Sequence, residues 1–327
     1  MINNPNRLCR ADLRARLLVW GIIVLSAITS GCTTASMSGW ESELYVEHPL
    51  VGKIWDSGTG SFIDESELKA SISNSQYFLL GEKHDNPDHH RLQLDLLNTL
   101  LASGHLDSFS LEMIDSSADA LLETIGRQNF GSLDELKNYL QWDDEGWEWP
   151  YYGPLIMAAL EAGVTVRSAN ISSQQVGEIY GQPLDENIAS VLQPAAIEQL
   201  NTEIDESHCG MLPASQFPSM VGIQQARDYQ MAQSLTADLT NQSPGRIRML
   251  VAGNYHIRQD LSVPNYIMAL DSSTSRERIT ALAIVEVNPE SFDPDDYMQA
   301  FSNTRPFNYI WFTPAISNED YCASLQQ

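Results

Sequence analysis

The stretch Tyr77-Phe78-Leu79-Leu80-Gly81-Glu82-Lys83-His84 decides the fold of this chain. Four consecutive apolar residues that end at a glycine are typical of a buried strand in a parallel sheet. The segment from Arg91 to Leu101 repeats leucine at helical spacing, which predicts an amphipathic helix. A buried strand followed by such a helix is the repeating unit of an α/β protein.

The alternation of strand and helix continues along the chain. Further strands are predicted over the apolar runs 109–114, 164–168, 246–252 and 279–287, with 309–312 as a last edge strand. Further helices are predicted over 64–73, 117–125, 154–162 and 219–239. The acidic, aromatic segment 142–152 has no periodicity and is interpreted as a loop, whereas 53–63 has the two short β-prone runs of a hairpin. We therefore expect an α/β fold: a mostly parallel, doubly wound sheet in a single domain with an N-terminal hairpin.

Composition and charge exclude several classes of function. The chain has 327 residues, of which 43% are hydrophobic, so it has enough apolar material for a large core. Its net charge is −25, because 43 acidic residues oppose 18 basic ones. Binding of DNA or RNA needs clustered lysine and arginine to neutralise phosphates, so a nucleic-acid-binding function is excluded. A peripheral membrane binder with a basic patch is excluded for the same reason.

The N-terminus predicts a lipoprotein signal peptide. Residues 1–16 contain four arginines and one aspartate, and an apolar run of about a dozen residues follows from Leu17 to Ile28. The next residues, Ala27-Ile28-Thr29-Ser30-Gly31-Cys32, resemble a bacterial lipobox, although Thr29 replaces the usual aliphatic residue. An ordinary signal peptide or an uncleaved anchor is the alternative. We expect acylation of Cys32, and Thr33 after it favours the periplasmic face of the outer membrane over the inner membrane.

These features divide the chain into a signal peptide (1–31), a tether (32–45) and one α/β domain (46–327). Removal of the signal peptide lowers the net charge from −25 to −28. Cys209 and Cys322 then remain for a disulfide, which an oxidising periplasm permits. The chain contains no C-x-x-C sequence, which excludes a zinc knuckle.

A G-x-x-H pattern occurs twice and predicts the functional site. Gly81-Glu82-Lys83-His84 and Gly253-Asn254-Tyr255-His256 each follow a predicted strand. In open parallel sheets, ligands bind just beyond the carboxyl ends of the strands. The alternative is structural: two tight strand–helix turns with capping histidines. The predicted residues of the ligand-binding cleft are Glu82, His84, Asp85, His89, His90, Glu112, Asn170 and His256.

The same residues also allow a metal-dependent reaction. His84, His256 and Glu112 form a two-histidine, one-carboxylate set of the kind that holds a divalent ion such as zinc. Glu82 would then be the general base of a hydrolase that acts on peptide or ester bonds. This enzyme is the second of two functional hypotheses.

The first hypothesis comes from a resemblance to a known family. Leu79-Leu80-Gly81-Glu82-Lys83-His84-Asp85-Asn86-Pro87-Asp88-His89-His90-Arg91 resembles the signature of ChaN-type haem-binding lipoproteins of the Tiki superfamily. Similar blocks follow at Glu112-Met113, Ala169-Asn170, Gln225 to Ala232 and Gly253 to Pro264, so the resemblance covers roughly residues 50–270. It departs from the family pattern at Lys83 and Ser262. The resemblance implies haem as the ligand and a role in haem or iron uptake.

Haem requires an axial donor and partners for its propionates. The candidates for these roles are Tyr152, Tyr255, Lys83, Arg91 and Arg258, together with the histidines of both turns. Trp142, Trp147 and Trp149 are candidates for walls against the porphyrin. The axial ligand is left open, as is the choice between a monomer and a homodimer. The expected partners are haem and, through the lipid, the membrane; an enzymatic activity is the less favoured hypothesis.

Overall fold

The chain folds into a mixed but mostly parallel sheet. The computed structural model describes residues 39–239, 245–319 and 322–323. Within them, eight strands form one sheet in the order β2-β1-β8-β7-β3-β6-β4-β5. The strands are β1 (Ile54–Asp56), β2 (Ser61–Ile63), β3 (Tyr77–Glu82), β4 (Leu106–Asp115), β5 (Thr165–Asn170), β6 (Ile247–Gly253), β7 (Ile279–Glu286) and β8 (Tyr309–Thr313). Strands β3 to β8 pair in parallel, which confirms the predicted sheet.

The predicted N-terminal hairpin is confirmed, but it changes the position of the last strand. Strands β1 and β2 pair antiparallel, and β1 also pairs antiparallel with β8. Strand β8 therefore lies between β1 and β7 and is not the edge strand that the sequence predicted. The physical reason is burial: four of the five residues of β8 are buried, as in an internal strand.

Helices connect the strands. The α-helices of the described residues are α1 (Glu65–Ile72), α2 (Pro87–Ser103), α3 (Asp119–Ile125), α4 (Leu133–Leu140), α5 (Trp149–Glu161), α6 (Ser173–Ile179), α7 (Glu186–Ala189), α8 (Pro194–Ser207), α9 (Phe217–Thr236) and α10 (Val263–Leu270). Helix α2 begins four residues before the predicted start, because the side chain of Asn86 caps it by accepting from the N–H groups of Asp88 and His89.

Helix α5 also begins earlier than predicted. Residues 149–152, interpreted as part of a loop, form its first turn, so the loop spans only 142–148. Pro150 lies in that turn, where the missing N–H of a proline has no helical partner to lose. Trp149 and Tyr152 are buried, and burial of these large side chains stabilises the turn that lacks a helical sequence pattern.

The hydrophobic core lies on both faces of the sheet, which confirms the doubly wound arrangement. Alternate residues of β3 point to opposite faces: Phe78 and Leu80 pack in one cluster, Tyr77 and Leu79 in the other. The first cluster includes residues of α2 and α5, and the second includes residues of α9 and α10. All four β3 side chains are fully buried, and each stabilises the fold by roughly 1.5–3 kcal/mol.

The last residues of the predicted tether contact the domain near the start of α2. The backbone N–H of Ser42 donates to the buried carboxylate of Asp88 at 2.9 Å, and Glu41 N–H donates to the same group. Leu44 forms a β-bridge with Ala315. The predicted signal peptide and Cys32 lie outside the described residues. No helix in the described ranges is long and apolar enough to cross a membrane.

Candidate functional site

The two G-x-x-H turns lie side by side at the carboxyl edge of the sheet. Strands β3 and β6 are parallel neighbours, and Glu82 of β3 is the register partner of Gly253 of β6. The N–H of Asn254 donates to the carbonyl of Glu82 at 3.0 Å, which links the turns directly. His84 and His256 both line one cavity of about 270 Å³. The repeated pattern therefore brings both histidines to one site.

Each glycine makes room for the other turn. A Cβ atom on Gly81 would overlap the side chains of Asn254 and Ile257. A Cβ atom on Gly253 would lie 3.0 Å from Nε2 of His84. The glycines are required by this close packing rather than by a positive φ. The turns thus have a structural role as well, which the alternative hypothesis predicted in part.

His84 presents one ring nitrogen to the cavity. Its Nδ1 atom lies 2.7 Å from Oε1 of Glu82, and because a carboxylate accepts, Nδ1 carries the proton. Burial lowers the pKa of His84, but the hydrogen bond to Glu82 and the charge of Glu112 outweigh burial and raise it. Among the described residues the Nε2 atom has no hydrogen-bond partner, and the side chain is 40% exposed. A histidine whose Nδ1–H is held by a carboxylate is oriented for metal ligation through Nε2.

Glu82 orients neighbouring side chains and is not placed as a general base. Its side chain is fully buried, with Oε1 also accepting from the Tyr152 hydroxyl at 2.6 Å. Gln93 donates to Oε2, and Nδ1 of His90 lies 3.4 Å from the same oxygen. Both carboxylate oxygens therefore hold protein donors. The catalytic role given to Glu82 in the hydrolase hypothesis does not fit this environment.

His256 is held between two buried carboxylates. Its Nδ1 lies 2.6 Å from Asp228 Oδ1, and its Nε2 lies 3.3 Å from Glu112 Oε1. Burial lowers the pKa of His256, but the charges of Glu112 and Asp228 outweigh burial and raise it to about 10. Both nitrogens therefore carry protons at neutral pH. Neither nitrogen then has a free lone pair, so this geometry gives no support to the predicted role of His256 as a metal ligand.

The carboxylates on either side of His256 are both ionised at neutral pH. Burial raises the pKa of Glu112, but the charge of His256 and the donating N–H of Gly253, at 2.7 Å, outweigh burial and lower it to about 2. Burial raises the pKa of Asp228 to about 6 despite the nearby imidazolium. Glu112 is thus satisfied by protein donors, which does not favour its predicted role as a metal ligand. In the described part of the chain, no group of three or more His, Cys, Asp or Glu side chains could hold a metal ion.

The predicted cationic partners for propionates are all occupied. Each of the three forms an ion pair within the protein: Lys83 with Asp85 at 2.9 Å and Glu286 at 3.3 Å, Arg91 with Asp88 at 3.1 Å, and Arg258 with Asp260 at 2.8 Å and Glu203 at 3.1 Å. Arg91 also lies over the ring of Trp40, at 5.1 Å. Two of the five acidic partners, Glu286 and Glu203, come from distant segments, so the sequence could not show those two pairs.

The two tyrosine candidates have different environments. Tyr152 is 1% exposed and its hydroxyl donates to Glu82, so its phenol is unsuited as a ligand. Burial and the charge of Glu82 raise the pKa of Tyr152 well above its usual range. Tyr255 lines the cavity and is 59% exposed, so its phenol is accessible. Burial of the hydroxyl and the charge of Glu203 raise the pKa of Tyr255.

Four other predicted residues surround the site without lining the cavity. His89 is fully buried, and its ring nitrogens contact the N–H of Lys83 and the hydroxyl of Thr313. Burial lowers the pKa of His89 well below its usual value, so this histidine is neutral and structural. His90 stacks on Tyr151 at 4.1 Å and its Nε2 donates to the His84 carbonyl. Asp85 is exposed, and Asn170 is buried at the end of β5.

The three tryptophan candidates divide between wall and core. Trp147 lines the cavity, with its ring edge-on to His84 at 4.9 Å. Trp149 is buried in the core. Trp142 supports the wall, because its indole N–H donates to the carbonyl of Trp147 at 2.8 Å.

Three residues of α9 belong to the site but were not among the predicted site residues. Asp228 contacts His256, and Gln224 and Arg227 line the cavity. The signal in the sequence is an acidic residue on a buried helix face, flanked by Ala226 and Met231. Such a carboxylate needs a buried partner, which could have directed attention to a histidine.

A disulfide joins the end of helix α8 to the C-terminal segment. Cys209 and Cys322 are bonded, with their Cα atoms 5.3 Å apart. Leu200, Glu203 and Ser207 of α8 line the cavity. The disulfide therefore tethers the end of a helix that forms one wall of the site.

Comparisons with known proteins match this fold. The model of a family described as haem-binding uptake, Tiki superfamily, ChaN matches residues 68–267, which include both turns. The chain is similar to a solved structure of cofacial haem binding to ChaN of Campylobacter jejuni, with a TM-score of 0.63 and 24% identity over 79% of this chain and 95% of that one. A mutant of the erythromycin esterase EreC matches with a TM-score of 0.44 and 12% identity, over 79% and 95% of the respective chains. No curated protein matches the sequence.

Proposed function

Because the chain belongs to the ChaN family of haem-binding uptake proteins in the Tiki superfamily, we propose that it binds haem in the cavity between its two G-x-x-H turns. The free Nε2 atom of His84 carries this proposal. It faces the cavity, and Glu82 holds the opposite side of the ring. A fixed imidazole with one free nitrogen is the axial donor that haem iron uses in many proteins.

The other walls of the cavity fit a porphyrin rather than a bare divalent ion. Trp147, Leu200 and Ile204 provide apolar surface beside His84. A divalent metal site needs several convergent donors, whereas haem brings four nitrogens of its own and needs one or two more. A single free imidazole beside these three apolar side chains therefore favours haem as the ligand. Haem is here the cargo of an uptake protein, and the protein's part is to ligate, enclose and release it.

Cavity size limits how much of the haem the protein encloses. A cavity of about 270 Å³ lies just below the range of about 300–1,000 Å³ that encloses a drug-sized ligand. Part of a bound porphyrin would therefore stay outside the cavity. Tyr255 lines the cavity and is 59% exposed, so its phenol would be a second candidate donor to the iron.

We also propose that the chain is attached to the outer membrane through an acylated Cys32. The lipobox-like sequence before Cys32 supports this attachment. A Cys32→Ser variant should incorporate no labelled fatty acid, because only the thiol is alkylated. Incorporation equal to that of the unaltered chain would contradict it.

Haem binding is tested by titrating hemin into the full chain in detergent and following the Soret band. We expect a saturable band at a fixed stoichiometry, with metal analysis of the purified protein as the control for other metals. The absence of a saturable band would contradict the proposed function. Sedimentation velocity of the same samples distinguishes the monomer from the homodimer.

A further inference from the structure

One cation in the cavity has no partner among the residues that the structure describes. Arg227 is the only lysine or arginine lining this cavity among the described residues. Its guanidinium forms no ion pair or hydrogen bond within those residues, and its Nε atom is buried without a partner. A partly buried guanidinium without an acceptor is costly, since its donors lose water without gaining a hydrogen bond. The side chain is therefore ready to receive an anionic acceptor from a ligand.

The acidic groups around Arg227 do not supply that acceptor. Glu112 is held by His256 and by the N–H of Gly253. Glu203 pairs with Arg258 at 3.1 Å. Asp228 follows Arg227 in the helix and makes its close contact with His256 instead. None of these three carboxylates pairs with Arg227, so its positive charge remains available to a ligand in the cavity, although the whole chain is strongly acidic.

The chemistry of a guanidinium indicates the kind of acceptor. Its planar fork of N–H donors matches the two oxygens of a carboxylate, and such pairs are shorter and stronger than neutral hydrogen bonds. Haem carries two carboxylates, its propionates, and either could present both of its oxygens to the guanidinium of Arg227.

We propose that Arg227 binds a propionate carboxylate of haem and sets the orientation of the ring in the cavity. This inference rests on the proposed function, because it names the contact that the same site makes with its ligand. Arg227, Trp147 and Tyr255 line the same cavity, so a propionate held by Arg227 would keep the porphyrin beside both aromatic side chains. Lys83, Arg91 and Arg258, the cations that the sequence favoured, keep their structural ion pairs.

The experiment compares two ligands with three proteins. Hemin carries free propionates, whereas hemin dimethyl ester has the same ring without carboxylate charges. Each is titrated into the wild-type chain, Arg227→Gln and Arg127→Gln. Arg127 is the matched control, because it is an exposed arginine that does not line the cavity.

We expect Arg227→Gln to weaken hemin binding about 10- to 100-fold, the effect of losing one hydrogen-bonded charge partner. The ester should bind the wild type more weakly than hemin by a similar factor, and Arg227→Gln should not weaken ester binding further. Arg127→Gln should match the wild type with both ligands. Thermal melts check that each variant is folded.

Three outcomes would overturn the inference. Unchanged hemin affinity in Arg227→Gln would show that Arg227 does not contact the propionate. If Arg227→Gln fails to fold, equal affinity of the wild type for hemin and its ester would show that no propionate contact contributes to binding. A wild type that binds no hemin would overturn the proposed function and this inference together, whereas the first two outcomes leave haem binding intact.

Discussion

The imidazole of His256 balances two buried negative charges. Glu112 and Asp228 are both inaccessible to water, and neither could remain ionised in the interior without a positive partner. His256 supplies that charge from the turn after β6, so it holds β4 and α9 against this turn. The histidine of the second G-x-x-H turn is therefore held by two carboxylates, whereas Nε2 of His84 has no partner among the described residues.

Replacement of His256 should destabilise the fold. His256→Gln leaves two buried carboxylates without a counter-charge, so we expect a loss of about 3–5 kcal/mol in the free energy of unfolding. Urea denaturation at neutral pH measures it. His105→Gln changes an exposed histidine and should stay within about 0.5 kcal/mol of the wild type. A stable His256→Gln protein would show that the carboxylates are not ionised.

The same residue predicts a dependence of stability on alkaline pH. The folded-state pKa of His256 is raised to about 10 from 6.5, so its stabilising effect is complete below pH 6.5 and is lost as pH rises toward 10. Between pH 8 and 10 the free energy of unfolding should fall by up to about 1.4 kcal/mol per pH unit. Other titrating groups change the stability of the wild type and of His256→Gln equally. The free energy of unfolding should therefore fall less steeply with pH in the variant than in the wild type. Equal slopes would contradict the ion-paired state.

At the scale of elements, two strand ends fit together through their glycines. Gly81 of β3 leaves room for Asn254 and Ile257, and Gly253 of β6 leaves room for the ring of His84. The first contact lies among core side chains, whereas the second lies at the cavity wall. The two glycines should therefore respond differently to the same substitution.

Alanine at these positions separates packing from ligand binding. Gly81→Ala should lower the free energy of unfolding by about 1–3 kcal/mol, because the new methyl overlaps buried atoms. Gly253→Ala should cost less stability but weaken hemin binding, since the methyl displaces the His84 ring. Gly177→Ala is the control: nothing lies within 4 Å of its added Cβ in helix α6, so stability should be unchanged or slightly higher. Chemical denaturation measures the loss of stability, and hemin titration measures the loss of affinity. A larger loss of stability in Gly253→Ala than in Gly81→Ala would contradict this account of the two contacts.

The sequence predicts elements well where local patterns determine them. Strands β3 and β6 are apolar runs that end in glycine, and their parallel pairing brings the two turns together as predicted. The internal position of β8 could not be predicted, because strand order depends on which partner the hairpin chooses. The contact between His256 and Asp228 could not be predicted either, because it joins residues that are 28 positions apart through the packing of α9. Long-range packing, rather than local propensity, decides which histidine is free.

At the scale of the whole molecule, the acidic surface opposes the approach of an anionic ligand. The chain carries a net charge of −25, and hemin carries negative propionates. Long-range repulsion between them is screened by salt, because the Debye length falls from about 30 Å at 0.01 M to about 8 Å at 0.15 M. The positive charge at Arg227 acts only at short range, inside the cavity.

The rate of hemin association should therefore rise with ionic strength. Stopped-flow measurements between about 10 mM and 150 mM salt should show an increase of severalfold. Uncharged hemin dimethyl ester, measured at the same low detergent concentration, should show a much smaller change. A hemin rate that falls as salt is added would indicate attraction by a basic surface and contradict the charge argument.

The segment before β1 packs against the edge of the sheet that carries the site. Glu41 and Ser42 contact Asp88 at the start of α2, on the carboxyl edge of the sheet where His84 lies.

The ligation of haem iron by His84 is tested most directly by replacing the ring and then returning it. His84→Gly removes the imidazole and leaves space for a free one beside Glu82. We predict that hemin bound to this variant loses the wild-type Soret and electron paramagnetic resonance spectra, and that added imidazole restores them, whereas Tyr255→Phe keeps the wild-type iron–nitrogen signature. A His84→Gly protein that binds hemin with the wild-type spectra in the absence of imidazole would contradict His84 as the axial ligand.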